Sequence, residues 1–393
     1  MRTLVTAEKL WNWTNLLDDP VVAIEDGVIA SIASRAHGEL PAAARILDYP
    51  GATLAPAFLD VHIHGAAGHD AMEATPEAIR AIGRFLASRG TGGFLATTVA
   101  APLDATMRAL SGLAKLAAES EAEDGARLLG IHLEGPFISH TKRGVHPPEF
   151  LLEPDLGLFD RLFEAAEGRI CLMTIAPELP GACELTTHVT SRGVRVSLGH
   201  SNASAAQTRA AIAAGAVSAT HTFNAMRPLD HREPGIVGVV LTTDSLFAEL
   251  IADGIHTAPE VVKLWWRAKG PERAILVTDA MSAAGMPDGE YQLGGTEGGF
   301  AVRVAQGRAT VGGVLAGSVL TLDRALTNFV AFTGAPLEQA LRLVTTNPAA
   351  MTGLGERAGC LAAGQPANFV AVDRTGRLAA SIHNGEPLPL EGA

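Results

Sequence analysis

Six residues of the kinds that bind metal ions or transfer protons lie at or near the ends of short apolar runs in this sequence. They are His62, His64, Glu134, His200, His221 and Asp279. Neutral imidazoles and carboxylate oxygens suit Zn²⁺ or Fe²⁺, and such a set can leave a coordination position for water. The three cysteines are widely spaced and form no CxxC pattern, which argues against a closed structural zinc site. The residue types therefore predict a catalytic metal site.

The spacing of His62 and His64 strengthens this prediction. Because side chains alternate along a strand, two residues separated by a single residue share a face, and both rings can point at one ion. Two imidazoles on one buried face are costly without a partner. His200 or His221 taken alone is more often a hydrogen-bonded core residue, so the prediction rests on the whole set occurring at strand ends of one fold.

Asp279, in the string VTDAM, offers a second kind of chemistry. A carboxylate beside a metal-activated water can accept its proton and later deliver that proton to a leaving amine. The alternative is a structural role, in which Asp279 is the N-cap of a helix that follows. We favour the general acid–base role, because this chemistry needs a carboxylate within hydrogen-bond reach of the water.

The elements that would position these residues are eight apolar, β-rich runs, which alternate with Ala- and Leu-rich segments of helical period. The runs are 52–64, 92–100, 127–135, 169–177, 194–200, 216–223, 246–254 and 273–281. This alternation is typical of βα units around a parallel sheet, and eight strands match a closed barrel. Active sites of such barrels lie at the C-terminal ends of the strands. We therefore predict an α/β fold, a TIM-like (β/α)₈ barrel, with Asn202 or Ser204 capping the helix after the fifth run.

The two ends of the chain have a different texture, with short strands and turns and no long helical period. A (β/α)₈ barrel takes roughly 250 residues, and this chain has 393, so a smaller second unit is expected. Because chain termini often lie close together, we predict that residues 1–52 and 360–393 form one small β-sandwich domain. Residues 53–359 are then the catalytic barrel domain.

Composition and charge exclude several classes of partner. Hydrophobic residues make up 47% of the chain and charged residues 18%, a balance typical of a folded soluble protein. The net charge is −12 and no Lys/Arg run is present, so nucleic-acid binding is not expected. The sequence has no signal-peptide pattern and no apolar stretch of about 18 residues. We therefore expect no membrane association and a cytoplasmic location.

Basic residues also occur in the loops that follow three of the runs. They are Arg143 and His146 after the third run, Arg227 and Arg232 after the sixth, and His256 after the seventh. Each alone is most simply a solvated loop residue. Together they can form the local positive patch that a phosphorylated substrate needs on an acidic protein.

Several strings in this sequence resemble the amidohydrolase superfamily and, within it, the family of N-acetylglucosamine-6-phosphate deacetylases. The strings are PAFLDVHIHG (56–65), IHLEGPF (131–137), KRGVHPPEF (142–150), SLGHSNA (197–203), THTFNAMRPLDHREPG (220–235), ADGIHTAP (252–259), VTDAMSAAG (277–285), LAGSVLT (315–321) and TTNPA (345–349). The HxH pair alone marks only the superfamily. The combination of HLEGPF, GHSNA and THTFNAM is far more specific, and the resemblance covers nearly the whole chain.

The resemblance implies hydrolysis of the acetamide of N-acetylglucosamine 6-phosphate to glucosamine 6-phosphate and acetate, a step of amino-sugar catabolism. It implies that Glu134, His200 and His221 hold one divalent ion, zinc or iron, and that Asp279 is the catalytic base and acid. It places His256 near the substrate carbonyl. Members differ at the first strand, and those that retain both histidines can hold two ions. We therefore expect a second ion at His62 and His64, with Glu134 as the bridge.

Further positions match the substrate-binding residues of the family. They are Val145, His146, Asn224, Ala225, Arg232, His256, Leu315, Ala316 and Gly317. The family commonly forms homodimers in which the counterpart of Arg232 reaches the phosphate site of the partner subunit. The resemblance thus implies a homodimer whose small-molecule partner is a phosphorylated amino sugar.

Two rival hypotheses remain. One is another amidohydrolase acting on a ring amide or amine, such as a dihydroorotase-like enzyme or a deaminase. Those enzymes usually carry a metal-bridging lysine on the fourth strand, and RICLMTIAP (169–177) has none. The other is a catalytically inactive barrel used for binding. The complete set of ligand-type and acid–base residues argues against it.

Overall fold

Five strands near the N-terminus form part of a mixed sheet in the computed structural model, which describes residues 2–35, 45–120, 125–295 and 297–390. They are β1 (Arg2–Trp11), β2 (Leu16–Asp18), β3 (Pro20–Glu25), β4 (Val28–Ser34) and β5 (Arg45–Pro56). Strand β1 pairs in antiparallel fashion with β2 and β3 and in parallel with β5, while β4 continues the sheet beyond β3. This sheet has its own apolar core, separate from the core of the barrel.

The central part of the chain builds a parallel sheet with a short hairpin, β7 and β8, at its first strand. These strands are β6 (Phe58–Ile63), β7 (Gly65–Ala66), β8 (His69–Asp70), β9 (Thr91–Thr97), β10 (Arg127–Glu134), β11 (Ile170–Ile175), β12 (Arg195–Leu198), β13 (Ser218–Ala219), β14 (Phe247–Leu250) and β15 (Ala274–Leu276). Eight of them, β6 and β9 to β15, pair in sequence order. An isolated parallel bridge joins Ile63 to Ala280, and the Asp279 N–H donates to the His62 carbonyl at 2.9 Å. The predicted TIM-like barrel is therefore confirmed as a nearly closed one.

Each of the eight predicted runs overlaps one barrel strand, and each strand is shorter than its run. The first run, 52–64, spans two elements, because residues up to Pro56 belong to β5 in the terminal sheet and β6 begins at Phe58. Every residue of β6 is buried. A continuous apolar run is the expected pattern for a parallel strand that is covered on both faces.

Ten α-helices occur in the described ranges. They are α1 (Pro76–Ser88), α2 (Leu103–Glu119), α3 (Leu156–Ala165), α4 (Ala182–Ser191), α5 (Ala205–Ala213), α6 (Gly235–Leu241), α7 (Pro259–Lys269), α8 (Leu322–Thr333), α9 (Leu337–Arg342) and α10 (Thr346–Thr352). Ser204 is the N-cap of α5, with its hydroxyl accepting from the Gln207 N–H, so the second of the two predicted caps is correct. None of these helices combines the length and hydropathy that a membrane crossing requires.

Helix α1 shows how the sequence fixes these elements. The Thr75 side chain accepts a hydrogen bond from the Ala78 N–H, and Pro76 occupies the first helical position, where its missing N–H costs nothing. Ile82 and Leu86 lie on the face that packs into the core. Burying such a side chain stabilises the fold by about 1.5–3 kcal/mol. The apolar face therefore holds the helix against the barrel.

A four-stranded antiparallel sheet follows β15 and was not anticipated from the sequence. Its strands are β16 (Gly289–Leu293), β17 (Phe300–Ala305), β18 (Arg308–Val311) and β19 (Val314–Leu315). In β17 burial alternates along the strand, which is the pattern of a sheet with one face packed on the protein. This sheet lies at the C-terminal end of the barrel and contributes residues to the site described below.

The chain returns to the terminal sheet at its end. The strands are β20 (Phe369–Val372), β21 (Leu378–His383) and β22 (Glu386–Leu388). Strand β20 pairs in antiparallel fashion with β5, so both chain ends contribute to one sheet. The division into 1–52 with 360–393 and 53–359 stays a prediction. Residues 1, 36–44 and 391–393 of the smaller predicted unit lie outside the described residues.

Candidate active site

Glu134, the last residue of β10, lies at the centre of a cluster of imidazoles. Its Oε1 is 3.4 Å from Nε2 of His62 and 3.3 Å from Nε2 of both His200 and His221. Its Oε2 is 3.3 Å from Nε2 of His64. All five side chains are buried. Strand ends that are distant in sequence thus bring the predicted ligand residues to one point at the C-terminal end of the barrel.

The backbone at this point is left-handed at three residues that are not glycine. The φ angles are 46° at His200, 26° at His221 and 49° at Asp279. Such conformations cost about 1–3 kcal/mol each and are concentrated at functional sites. Surrounding hydrogen bonds hold them: the Ser139 N–H donates to the His200 carbonyl at 2.9 Å, and the Ser318 N–H donates to the Asp279 carbonyl at 2.7 Å. The fold therefore fixes where these side chains enter the site.

Hydrogen bonds on the far side of two rings define their tautomers. Nδ1 of His64 lies 3.2 Å from the Thr97 carbonyl oxygen, and Nδ1 of His200 lies 3.0 Å from the Lys142 carbonyl oxygen. A carbonyl oxygen only accepts, so each Nδ1 carries the hydrogen. In the neutral ring, Nε2 then presents its lone pair to the cluster. This is the tautomer that a metal ligand requires.

His146 has the opposite arrangement. The Ala100 N–H donates to Nδ1 of His146 at 3.1 Å, so the neutral ring carries its hydrogen on Nε2. That nitrogen lies 3.6 Å from Oε2 of Glu134. Glu134, His146 and His200 have ligand atoms close enough to share an ion. The tautomer nevertheless makes His146 a hydrogen-bond donor, which fits the predicted role in substrate binding better than metal ligation.

The remaining donor atoms fit a divalent metal ion. Ligand atoms lie within 4.8 Å of one another in two further groups, His62 with His64 and Asp279, and His62 with Glu134 and His221. Nε2 of His62 and Oε1 of Glu134 are buried without a hydrogen-bond partner. Buried polar atoms are normally paired, so two unpaired ones that face each other fit a site where a cation binds. These side chains can hold a metal ion.

Electrostatics keep the carboxylates of the cluster ionised. Burial alone would raise the pKa of Asp279, but the neighbouring imidazoles of His62 and His64 outweigh it and hold the pKa well below its usual range. The same balance between burial and nearby imidazoles lowers the pKa of Glu134. Burial opposes protonation of His64, yet its contacts with Asp279 and Glu134 raise its pKa to about 9. The buried carboxylates of Glu134 and Asp279 are therefore held in the ionised form in which they can bind a cation.

Asp279 faces the first-strand histidines. Its Oδ1 lies 3.1 Å from Nε2 of His64 and 3.5 Å from Nε2 of His62, and its side chain is 13% exposed. No helix begins directly after Asp279 in the described residues, because the next helix, α8, starts only at Leu322. The N-cap alternative is therefore wrong. A carboxylate at the edge of the cluster and partly open to solvent is placed for proton transfer to a substrate.

A cavity of about 340 Å³ opens above the cluster. It is lined by His64, Val99, Glu134, Gly144, Val145, His146, His200, His221, Asn224, Ala225, His256, Asp279, Leu293, Val314, Leu315 and Gly317. Most of the predicted substrate-binding positions are thus on its wall. Ala316 is an exception, because its side chain is buried in the core beneath β16 to β18. His62 lies below the cavity floor and is fully buried.

His256 is held at the cavity by a carboxylate. Its Nδ1 lies 2.7 Å from Oδ2 of Asp253, and the other carboxylate oxygen accepts the His256 N–H at 2.7 Å. Burial would raise the pKa of Asp253, but the contact with His256 lowers it below its usual range. A carboxylate oxygen accepts, so Nδ1 carries the hydrogen and Asp253 fixes the orientation of the ring at the cavity.

The predicted basic patch is not assembled within one chain. The Arg143 guanidinium donates to the His146 carbonyl at 2.8 Å, and Nε of Arg227 donates to the Asn202 carbonyl at 2.9 Å. Arg232 is exposed on the loop after β13. Within the part of the chain that the structure describes, no arginine or lysine lines the cavity.

Two buried residues at the site were missed by sequence reasoning. Glu249 in β14 contacts His62, and His132 in β10 packs edge-on against the same ring, with centroids 4.6 Å apart. His132 is buried under the site, and its Nε2 forms a hydrogen bond with the Thr174 hydroxyl at 2.8 Å. Each had a signal: Glu249 is a charge inside an apolar strand, and His132 shares a strand face with Glu134.

Comparison with known proteins identifies the family. The model of the amidohydrolase family matches residues 53–387. N-acetylgalactosamine-6-phosphate deacetylase of Escherichia coli O157:H7 is 39% identical over 374 residues, which are 95% of this chain and 96% of that protein. N-acetylglucosamine-6-phosphate deacetylase of Lysinibacillus sphaericus is 38% identical over 353 residues, 90% of this chain and 89% of that protein.

Solved structures agree with these relatives. A mutant of N-acetyl-D-glucosamine-6-phosphate deacetylase from Mycobacterium smegmatis, in complex with N-acetyl-D-glucosamine-6-phosphate, superposes with a TM-score of 0.89 at 36% identity. The match covers 98% of this chain and 99% of that one. With its strand ends converging on one carboxylate and a family match that spans most of its length, this chain belongs to the amidohydrolase family.

Proposed function

We propose that this protein removes the acetyl group from N-acetylglucosamine 6-phosphate and releases glucosamine 6-phosphate and acetate. The observation that carries the proposal is the convergence of Glu134, His200, His221 and Asp279 on one cavity. The similar proteins named above support the substrate class, because both are deacetylases of phosphorylated N-acetylhexosamines by name.

In this proposal Glu134, His200 and His221 hold a divalent ion, zinc or iron. When bound, such an ion lowers the pKa of a coordinated water toward about 7 and polarises the amide carbonyl. His62 and His64 hold a second ion, with Glu134 shared between the two sites. The support is that His62, Glu134 and His221 form one compact ligand group and His62, His64 and Asp279 form another.

Asp279 transfers the proton. Its ionised carboxylate accepts a proton from the attacking water as the new bond to the acetyl carbon forms. The amide nitrogen must be protonated before it leaves as an amine, and Asp279 returns the proton to it. The bond between that nitrogen and the acetyl carbon then breaks, so the products are acetate and the free amine. The backbone of Asp279 is fixed between these two transfers, because its N–H donates to the His62 carbonyl and its carbonyl accepts the Ser318 N–H.

His256 stabilises the developing charge on the carbonyl oxygen. The hydrogen bond to Asp253 fixes the ring. The form of the ring with a hydrogen on both nitrogens would donate from Nε2 to the substrate carbonyl oxygen. A preorganised donor of this kind in a water-poor cavity stabilises the transition state more than the ground state. His256 thus complements Asp279, which handles the proton.

Other cavity residues bind the sugar. Val145, His146, Asn224, Ala225, Leu315 and Gly317 surround it, with His146 donating from Nε2. The phosphate needs a cation that the wall of a single chain does not provide. We propose that Arg232 supplies it from the partner subunit of a homodimer, since Arg232 is exposed and outside the cavity of its own chain. We further propose a cytoplasmic location.

N-acetylgalactosamine 6-phosphate is a second candidate substrate. The relative that is 39% identical over nearly its whole length is named for that sugar. The two substrates differ in configuration at one ring carbon and carry the same acetamide and phosphate. The chemistry assigned to Asp279 and His256 is therefore the same for both, and only the sugar-binding wall can discriminate between them.

The proposal is tested by measuring acetate release from a panel of acetylated amino sugars. We expect turnover of the two 6-phosphates and at least tenfold lower kcat/KM for unphosphorylated N-acetylglucosamine. A D279N variant is the negative control. Dihydroorotate and a nucleobase that carries an amino group should give no product, because β11 has no lysine to bridge two ions. No acetate release from any hexosamine 6-phosphate by the metal-replete protein would refute the proposal.

A further inference from the structure

We propose that Glu249 is a positioning residue that fixes the ring of His62 and thereby controls metal binding at the His62–His64 subsite. The inference rests on the proposed function for the identity of that subsite. Glu249 lies in β14, is completely buried and is flanked by Ala248 and Leu250. It is not on the cavity wall, so it does not touch substrate.

Glu249 contacts residues of both proposed subsites. Its Oε2 lies 3.4 Å from Nδ1 of His62 and accepts the backbone N–H of His221 at 3.3 Å. The backbone of Glu249 is fixed in turn, because its carbonyl accepts the Thr222 N–H at 2.8 Å. One carboxylate oxygen on a rigid strand thus connects the first barrel strand to the loop that carries His221.

The contact determines which nitrogen of His62 faces the ions. Oε2 of Glu249 already accepts the His221 N–H, so it is also the acceptor towards His62. Nδ1 of His62 then carries the hydrogen, and the neutral ring leaves the lone pair of Nε2 facing the cluster. That Nε2 lies 3.4 Å from Oε1 of Glu134 and 3.5 Å from Oδ1 of Asp279. A carboxylate behind a ligating imidazole raises its basicity and fixes its orientation.

His132 restricts the ring from a second direction. It packs edge-on against His62 at an interplanar angle of 87°, with a hydrogen bond to Thr174 holding its own ring. His62 therefore cannot rotate freely, and its orientation follows from Glu249 and His132 together. Removing Glu249 would leave the packing but remove the group that selects the tautomer.

The cost of burying Glu249 argues against a purely structural role. A buried charge is unfavourable unless it is paired, and Oε1 of Glu249 has no hydrogen-bond partner among the residues described. An apolar residue would suit this strand position better, as it does at the flanking positions. A carboxylate here is explained if His62 must be held as a metal ligand.

The test uses the purified full-length protein, stripped of metal and titrated with Zn²⁺ against a competing chelator. We expect E249L to weaken the second equivalent of Zn²⁺ by about 10- to 100-fold, while the first equivalent changes little. E249Q keeps an acceptor oxygen and should fall between E249L and wild type. In an H62A background, which should already lack the second equivalent, E249L should not change the affinity for the remaining ion.

A matched control is E178Q. Glu178 is another carboxylate near the site, but its oxygens accept from the Ser201 hydroxyl and the Asn202 N–H rather than from an imidazole. It should leave both equivalents unchanged. Equal weakening of both equivalents by E249L, or an unchanged second equivalent, would overturn the proposal.

A second measurement does not depend on any variant folding. ¹⁵N spectra of zinc-loaded, histidine-labelled protein should show His62 with a hydrogen on Nδ1 and the metal on Nε2. The reverse assignment would overturn the proposal. Neither experiment uses substrate, so absence of deacetylase activity would leave the positioning role intact. If E249L weakens the second equivalent and E178Q does not, the positioning role of Glu249 is supported whatever the substrate.

Discussion

Nε2 of His200 lies 3.0 Å from Nε2 of His221, and both nitrogens lie 3.3 Å from the same oxygen of Glu134. The hydrogen on His200 is on the opposite nitrogen, where it is donated to the Lys142 carbonyl. Two ring nitrogens at this distance repel unless a proton or a cation lies between them. The arrangement, together with the ionised Glu134, is that of a ligand set.

Asp279→Asn should abolish turnover while leaving the ligand set in place. The amide has the same shape, but it cannot accept the proton of the attacking water. We expect kcat to fall by about 10²–10⁴-fold, with the ion at Glu134, His200 and His221 retained and the thermal unfolding midpoint close to that of the wild type. Near-normal kcat in the metal-loaded variant would show that another group transfers the proton.

His62→Ala should remove one ion and leave one. Elemental analysis of the wild type should give two divalent ions per chain at full activity, and the variant should give one. The physical reason is that His62 and His64 form a ligand group with Asp279, whereas Glu134, His200 and His221 remain in the variant to hold the other ion. A single ion in both proteins would eliminate the second site and with it the proposal for Glu249.

His146→Phe should weaken substrate binding without changing metal content. The phenyl ring fills the same space, but it lacks the Nε2–H that His146 presents to the cavity. We expect KM for the sugar phosphate to rise by roughly tenfold, the loss of about one hydrogen bond. Loss of an ion instead would mean that His146 is a ligand and that its tautomer has been wrongly inferred.

Arg232→Gln tests the contribution of a partner subunit. We expect KM to rise for the 6-phosphate and to stay constant for the unphosphorylated sugar, because only the phosphate uses the guanidinium. Mixing this variant with the Asp279→Asn variant should restore activity, since one site in each mixed dimer then has both residues. Arg192, a surface arginine paired with Asp160 on α3, is a matched control. No recovery on mixing would place Arg232 outside the partner's site.

Sequence reasoning reached the barrel and the ligand set because both leave strong local signals. Buried parallel strands read as continuous apolar runs, and His62, His64 and Glu134 are polar residues at the ends of such runs. The sheet β16 to β19 was missed because its strands are short and half-exposed, and their pattern resembles turns. Its contribution to the cavity wall was therefore visible only in the structure.

Three features needed three-dimensional information. Burial of Ala316 depends on how β16 to β18 fold over it, which no local pattern encodes. The tautomer of His146 depends on the Ala100 N–H, a partner far away in sequence. The contact between Glu249 and His62 joins the first and seventh barrel strands. Spacing along the chain predicts which residues share a face, but not which side chain lies behind which.

Titration of the metal-stripped protein with Zn²⁺ or Fe²⁺, while acetate release is followed, tests the central claim most directly. The account predicts an inactive stripped protein whose activity returns in proportion to the metal bound. His221→Ala should recover little, whereas His188→Ala, which changes a histidine paired with Asp160 on the helical surface, should recover like the wild type. Full deacetylation by protein that contains no divalent ion would contradict the account.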